Sequence, residues 1–455
     1  MPTRLLMIGL DGADGRLLDA GTRDGTLPHL TKLRGRGQGW PLSAPRASTD
    51  DSLWASFHYG VGLGEHGRYS YWLEDADGRR QFAPERETDW TTFWDRLSEA
   101  GDRIAVIDLP KCRPPLPLNG IQLNDWLTHG RYSLSPVSFP EGLAAEVVAR
   151  FGPAPPSVCG YAYESPIDDE ALVSTRSHLL RSVGQKRDAG LHFLAQDNWD
   201  LFAIGFKEGH CSAHTFWDLA DPSHPQYDPE RVERLGNPVR DVLQALDDAV
   251  GALISAAGDE AEVIAFTTTG YVPNGTAMHL IEPIAARIDA FVSASEVGPT
   301  ATWLRRMLRR RARYCRSVFY SDTPNALLVP RRPDDTDDRY RQRLELVAEL
   351  VGELATAEDG EPLVSKLSYP ARENPGQRAD ALPQILLHYP PGVCPTAVVS
   401  PRLGRITGRL PIYRTGAHGP SGFAIAAGRW ADTAARDVPT MTQFAALAET
   451  VLRAN

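Results

Sequence analysis

The chain has 455 residues, 42% of them hydrophobic and 23% charged, with a formal net charge of −10. That length supports a large core, in one domain with insertions or in two. The acidic balance excludes a general binder of nucleic acid or of acidic membranes, since either needs a basic surface.

In chain order, TRLLMIGL (3–10) is a short apolar run ending at Asp11-Gly12 and predicts a buried strand stopped by a turn. LPHLTKLRGRG (27–37) has helical spacing up to its glycines. RIAVIDLP (103–110) predicts a second buried strand, 169–196 a helix, and DLFAIGF (200–206) a strand that runs into two histidines, His210 and His214. Residues 230–257 have the spacing of one long amphipathic helix, followed by the strand EVIAFTTT (262–269), the helix HLIEPIAARIDAFV (279–292) and a late strand, LPQILLHY (382–389). Strands alternating with helices predict an α/β fold with a mainly parallel central sheet flanked by helices. Residues 72–160, rich in Trp, Pro and Asp, and 297–380, with a basic and then an acidic run, read as cap insertions in a single domain over 1–455.

No signal peptide and no bilayer-length apolar run is evident, and Cys112, Cys159, Cys211, Cys315 and Cys394 are scattered and odd in number. A reducing cytoplasm is the expected setting. Frequent Ala, Arg, Gly and Pro match a bacterial genome of high GC content.

Parallel sheets gather ligands at the carboxyl ends of their strands. Asp11, the 207–214 segment and Thr267–Thr269 all follow predicted strands, so three segments are expected to converge on one edge. His210 and His214, four apart, share one helix face, a spacing used by histidine metal sites. His418 lies in a glycine-rich loop, RTGAHGPSGF (414–423). Taken singly, each feature has a plain structural reading: a satisfied histidine pair, an Asp-Gly turn, a loop.

The segment ASTDDSLWASFHYGVGLGEHGRYSYW (47–72) resembles the nucleophile segment of the alkaline phosphatase superfamily, close to its type I phosphodiesterase and nucleotide pyrophosphatase branch. Trp54, Gly60 and His66-Gly67 match. IGLDGAD followed by GTLPHLTKLRGRG, EGHCSAHTFWDLADPSHPQY, and LPQILLHY followed by RTGAHGPSGF resemble the opening, metal and closing segments, in the family's order. The resemblance spans residue 4 to about 430.

It implies a metal-dependent hydrolase of a phosphate ester, phosphodiester or related sulfur ester, acting on a small anionic substrate, in which two zinc ions flank a Ser or Thr alkoxide. By position, one site would be His210, His214 and His418, three histidines where the family has one Asp and two His. Glu208 could add a nearby carboxylate. The other site keeps Asp11 but has Thr268 and Thr269 where Asp and His are expected, so one zinc is the expectation, with Mn2+ or another divalent ion as alternatives. The nucleophile offset lands on Asp50. Thr49 is favoured as nucleophile, Ser52 is second, Ser48 is also available, and Asp50 or Asp51 could be a ligand or a carboxylate nucleophile. The competing functions are a transferase or lyase-like step in a biosynthetic pathway, and a non-catalytic relative. Cys211, His66, Trp217, Phe216 and His279 read as structural, His58 as packing or site-facing, and the basic run 305–317 as a solvated helix face.

Overall fold

The computed structural model describes residues 3–70, 90–127, 135–155, 167–274, 277–297, 314–318, 325–390, 392–408 and 414–454, with the backbone of a short hairpin at Trp72–Glu74 and Arg80–Phe82. An eight-stranded sheet organises the molecule. Its strands are β1 (Leu5–Leu10), β2 (Gly37–Leu42), β3 (Ile104–Ile107), β4 (Gly120–Asn124), β5 (Val137–Phe139), β6 (Leu201–Phe206), β7 (Glu262–Thr267) and β8 (Gly422–Ala427). Their spatial order is β2-β8-β7-β1-β6-β3-β4-β5. The five strands from β7 to β4 run parallel, while β8 and β5 pair antiparallel to their inner neighbours.

Strands β1, β6 and β7 are buried along their whole length. That is why they read as continuous apolar runs, since helices cover both faces of a parallel sheet. Side chains alternate between the two faces. Leu6, Ile8 and Leu10 of β1 join Phe202, Ile204 and Phe206 of β6 in one core, and Leu5, Met7, Leu201 and Ala203 join the other. The first core packs under two of the longest helices, α3 (Asp169–Leu194) and α5 (Pro238–Ala257). The second packs under α2 (Asp50–Tyr59) and the C-terminal helix Phe444–Arg453.

The expected 230–257 helix is two helices, Pro229–Leu235 and α5, because Gly236 and Pro238 interrupt it. A proline cannot donate to the preceding turn and restricts the residue before it. Residues 104–139, inside the expected 72–160 cap, supply three sheet strands. The other expected insertion, 297–380, falls within a wider unit with a core of its own. Its core joins the helices Met278–Val297 and Asp337–Gly352 to strands as late as Gly404–Thr407. LPQILLHY lies there, its strand Ile385–His388 in a separate four-stranded sheet. The glycine-rich 414–423 segment holds a strand, Gly416–Gly419, paired antiparallel with Gly270–Pro273, and the start of β8. Among the described residues no helix is long and apolar enough to cross a membrane.

Candidate metal centre

Three turns meet at the carboxyl edge of the sheet, and glycines let them close up. Gly12 has φ +61, and a Cβ there would lie 2.5 Å from the backbone of His210. This close approach lets the His210 amide donate to the Asp11 carbonyl at 2.9 Å. Helix α4 (Glu208–Ala220) starts directly after β6 and is buried almost throughout. Its period places His210 and His214 on one face with ring centroids 4.6 Å apart. His418, opposite Tyr271 in the two-stranded ladder, brings its ring to 4.8 Å from each.

One ring nitrogen from each histidine lies within 4.8 Å of the others. The rings are oriented from behind. The Nδ1 of His214 is 2.7 Å from the Gly416 carbonyl, which fixes the proton on that nitrogen and turns an unprotonated Nε2 inward. The Nδ1 of His418 is 3.2 Å from the Thr269 hydroxyl. Tyr271 packs its ring on His214 and His418 and donates its hydroxyl to the His210 carbonyl at 3.3 Å. A set of three imidazoles, two of them with such outer partners, suits zinc. Arg414, also buried, places Nη1 3.4 Å from His214 Nε2.

Beside this set lies a second, Asp11, Asp50 and His210, again within 4.8 Å of one another. Asp11 is buried at the end of β1, and its Oδ1 accepts from the Trp54 indole at 2.9 Å while Oδ2 is 3.6 Å from His210 Nδ1. Burial, then the Asp50 carboxylate, push the Asp11 carboxyl above its usual range. Asp50 opens helix α2, and its Oδ1 accepts from the Thr268 hydroxyl at 3.3 Å. Lys111, just beyond β3, forms ion pairs with both Asp50 and Asp51.

The hydroxyls of Thr49 and Ser52 are engaged elsewhere. Thr49 caps α2: its Oγ1 accepts from the Ser52 amide at 3.1 Å and donates to the Tyr69 carbonyl at 2.7 Å. Ser52 completes the capping box, accepting from the Thr49 amide at 2.8 Å. Ser48 donates to the Pro45 carbonyl. The member of this stretch that joins the metal-competent residues is Asp50.

Glu208 does not join them. It is fully buried with Lys186 and Asp108, accepting from the Ser182 hydroxyl at 2.6 Å. Cys211, Phe216 and Trp217 belong to the core. His66 is held in its turn by the Ser56 hydroxyl and the Arg68 amide, and His58 packs on Trp94. His279 is 2.8 Å from the Pro395 carbonyl. Cys159 and residues 305–313 of the basic run lie outside the described residues. Sequence reasoning missed Lys111 and Arg414. Lys111 had one signal, its place just past a buried parallel strand.

A mainly parallel sheet flanked by helices, with ligating groups gathered on its carboxyl edge, is consistent with the alkaline phosphatase-like class of α/β enzymes. Within that class the chain belongs to the type I phosphodiesterase / nucleotide pyrophosphatase family, whose model matches residues 5–396. It is thus an enzyme of a phosphoester hydrolase family. Phosphonoacetate hydrolase from Sinorhizobium meliloti 1021, solved with phosphonoformate, shares the fold at a TM-score of 0.52 and 13% identity, over 99% of this chain and 96% of that one. Murine ectonucleotide pyrophosphatase / phosphodiesterase 5 does so at 0.52 and 12% identity, over 100% of this chain and 96% of that one. Comparison with curated proteins finds no match.

Proposed function

We propose that the protein hydrolyses a small anionic phosphate ester, phosphodiester or related sulfur ester with one divalent ion, zinc by preference, held by His210, His214 and His418. The observation that carries this reading is the convergence of the three imidazoles, with the Nδ1 of His214 committed to the Gly416 carbonyl. When bound, such an ion would polarise the ester oxygen and offset the negative charge that grows on it. In this reading the Arg414 guanidinium, beside His214, would grip an anionic oxygen of the substrate.

The reading has water, rather than a side-chain hydroxyl, as the attacking group. Thr49 and Ser52 hold the start of helix α2, and freeing either hydroxyl would break the capping box. Asp11 is the group suited to take the proton of that water. Its carboxyl is pushed up by burial and by Asp50, which makes it a better base than an ordinary aspartate.

The test is metal analysis joined to an ester panel. About one ion per chain is expected, lost in His214→Ala along with about 100-fold or more of the activity. Thr49→Ala and Ser52→Ala should each retain activity within about tenfold, with no phosphorylated protein trapped on acid quench. A phosphorylated Thr49 or Ser52 would overturn the water mechanism. A wild-type protein that takes up no ion would overturn the metal site.

A further inference from the structure

Asp11, Asp50 and His210 are spaced to hold an ion of their own, and in this family that region would carry a second metal. The surrounding residues differ from such a site in one way that the fold makes plain. Lys111 reaches in from the end of β3, 4% exposed, and sets its ammonium between Asp50 and Asp51, 2.5 Å from Asp51 Oδ1. The placement is built at a conformational cost. Lys111 has φ +61 and Asp108, three residues earlier, φ +50, both in the left-handed region that side-chain-bearing residues rarely adopt. The residues that the sequence resemblance sets beside the second metal are Thr268 and Thr269. Thr268 donates its hydroxyl to Asp50 and Thr269 meets His418, so neither offers a charged ligand.

We propose that the ammonium of Lys111 stands in for the second metal ion. Its single positive charge, fixed by two carboxylates and held out of water, offsets part of the charge of Asp50 and Asp51 and acts on Asp11 as well. A divalent ion at Asp11 and Asp50 would sit against that ammonium in a buried site where like charges repel strongly. Lys111 therefore makes the enzyme mononuclear, and it is a positioning residue that holds the Asp50 carboxylate by an ion pair. This inference rests on the three-histidine site proposed above.

The experiment is ion stoichiometry with zinc alone, by elemental analysis after equilibrium dialysis, on the full-length protein. Wild type should saturate at one ion per chain, as should Lys111→Arg, which keeps the charge. Lys111→Gln, close in size and neutral, should bind a second ion, and Lys111→Gln with Asp50→Asn should return to one. Wild type binding two ions, the second lost in Asp50→Asn, overturns the proposal, as does a folded Lys111→Gln that stays at one. Should Lys111→Gln not fold, the wild-type titration with Asp50→Asn decides alone. Failure of the three-histidine reading looks different: no ion would depend on His214 or His418.

Discussion

Asp11 illustrates how many residues one buried carboxylate recruits. Its partner Trp54 is fully buried, and the indole fits only because position 9 is glycine, where a Cβ would lie 2.8 Å from the ring. Trp54→Phe keeps an aromatic side chain, though a smaller one, and removes the donor. It should cost about 1–3 kcal/mol in urea unfolding and reduce activity, because Asp11 Oδ1 loses its hydrogen bond. Gly9→Ala should cost a similar amount, about 1–3 kcal/mol, by overpacking against the same ring. The buried histidines outside the centre make a separate prediction. Burial first, and the nearby Arg68 charge second, push both His58 and His66 from 6.5 down to about 3. A depressed histidine pKa means that the unfolded chain takes up the proton first, so stability is full above 6.5 and falls as pH drops towards 3. Between pH 6.5 and 5 the loss should be about 2 kcal/mol per histidine, read from urea midpoints. Their imidazole resonances should not titrate above pH 4.

Two elements bring most of the site together, and each is fixed by a different kind of contact. Helix α2 relies on its cap. Thr49→Ala should destabilise the protein by about 1 kcal/mol and leave chemistry largely intact, the opposite of what loss of a nucleophile would do. Helix α4 relies on charge. Lys186 pairs with Asp108 at 2.9 Å, and Lys207 reaches the same carboxylate at 3.3 Å. Burial alone would raise the Asp108 carboxyl, but Lys186 and Lys207 outweigh it and hold the group below its usual range. That contribution is present above the unfolded carboxyl pKa and is lost as pH falls through the lower folded value. Lys186→Met would leave Asp108 and Glu208 short of a cation, at a cost of about 3–5 kcal/mol measurable as a lowered Tm.

At the scale of the molecule, the segment expected as the later cap has a core of its own, separate from the two on the sheet. It leaves at His279 and returns at Gly408, where a Cβ would meet the His279 carbonyl at 2.2 Å. The two ends of the insertion thus touch. It leans back on the site through a small cluster in which Leu63 and Tyr69, beyond helix α2, pack on Val318, Leu382 and Leu386. The Arg378 amide donates to the Gly64 carbonyl, and Asn374 to the Arg46 carbonyl. Replacing 280–407 by a short Gly/Ser linker should leave a folded sheet that still binds its ion. Substrate discrimination should fall, measured as a flattened spread of kcat/KM across the ester panel.

The strands that the sequence determined were those buried on both faces. Leu5–Leu10, Leu201–Phe206 and Glu262–Thr267 are buried throughout and mostly apolar, and the histidine pair four apart on the helix after Leu201–Phe206 needed only the helical period. Strands such as Gly37–Leu42 and Gly422–Ala427 were illegible because glycines, prolines and small residues carry no strand pattern, and pairing to a neighbour supplies their stability. The same division runs through the site. Asp11, His210, His214 and His418 announce themselves by residue type after strand ends. The tie of the Thr49 hydroxyl to the Tyr69 carbonyl, the retreat of Glu208 into a charge network and the arrival of Lys111 between Asp50 and Asp51 depend on contacts across about 20 to 60 residues of chain. Spacing along a chain encodes which face a side chain takes, and only the packed structure decides which partner it meets there.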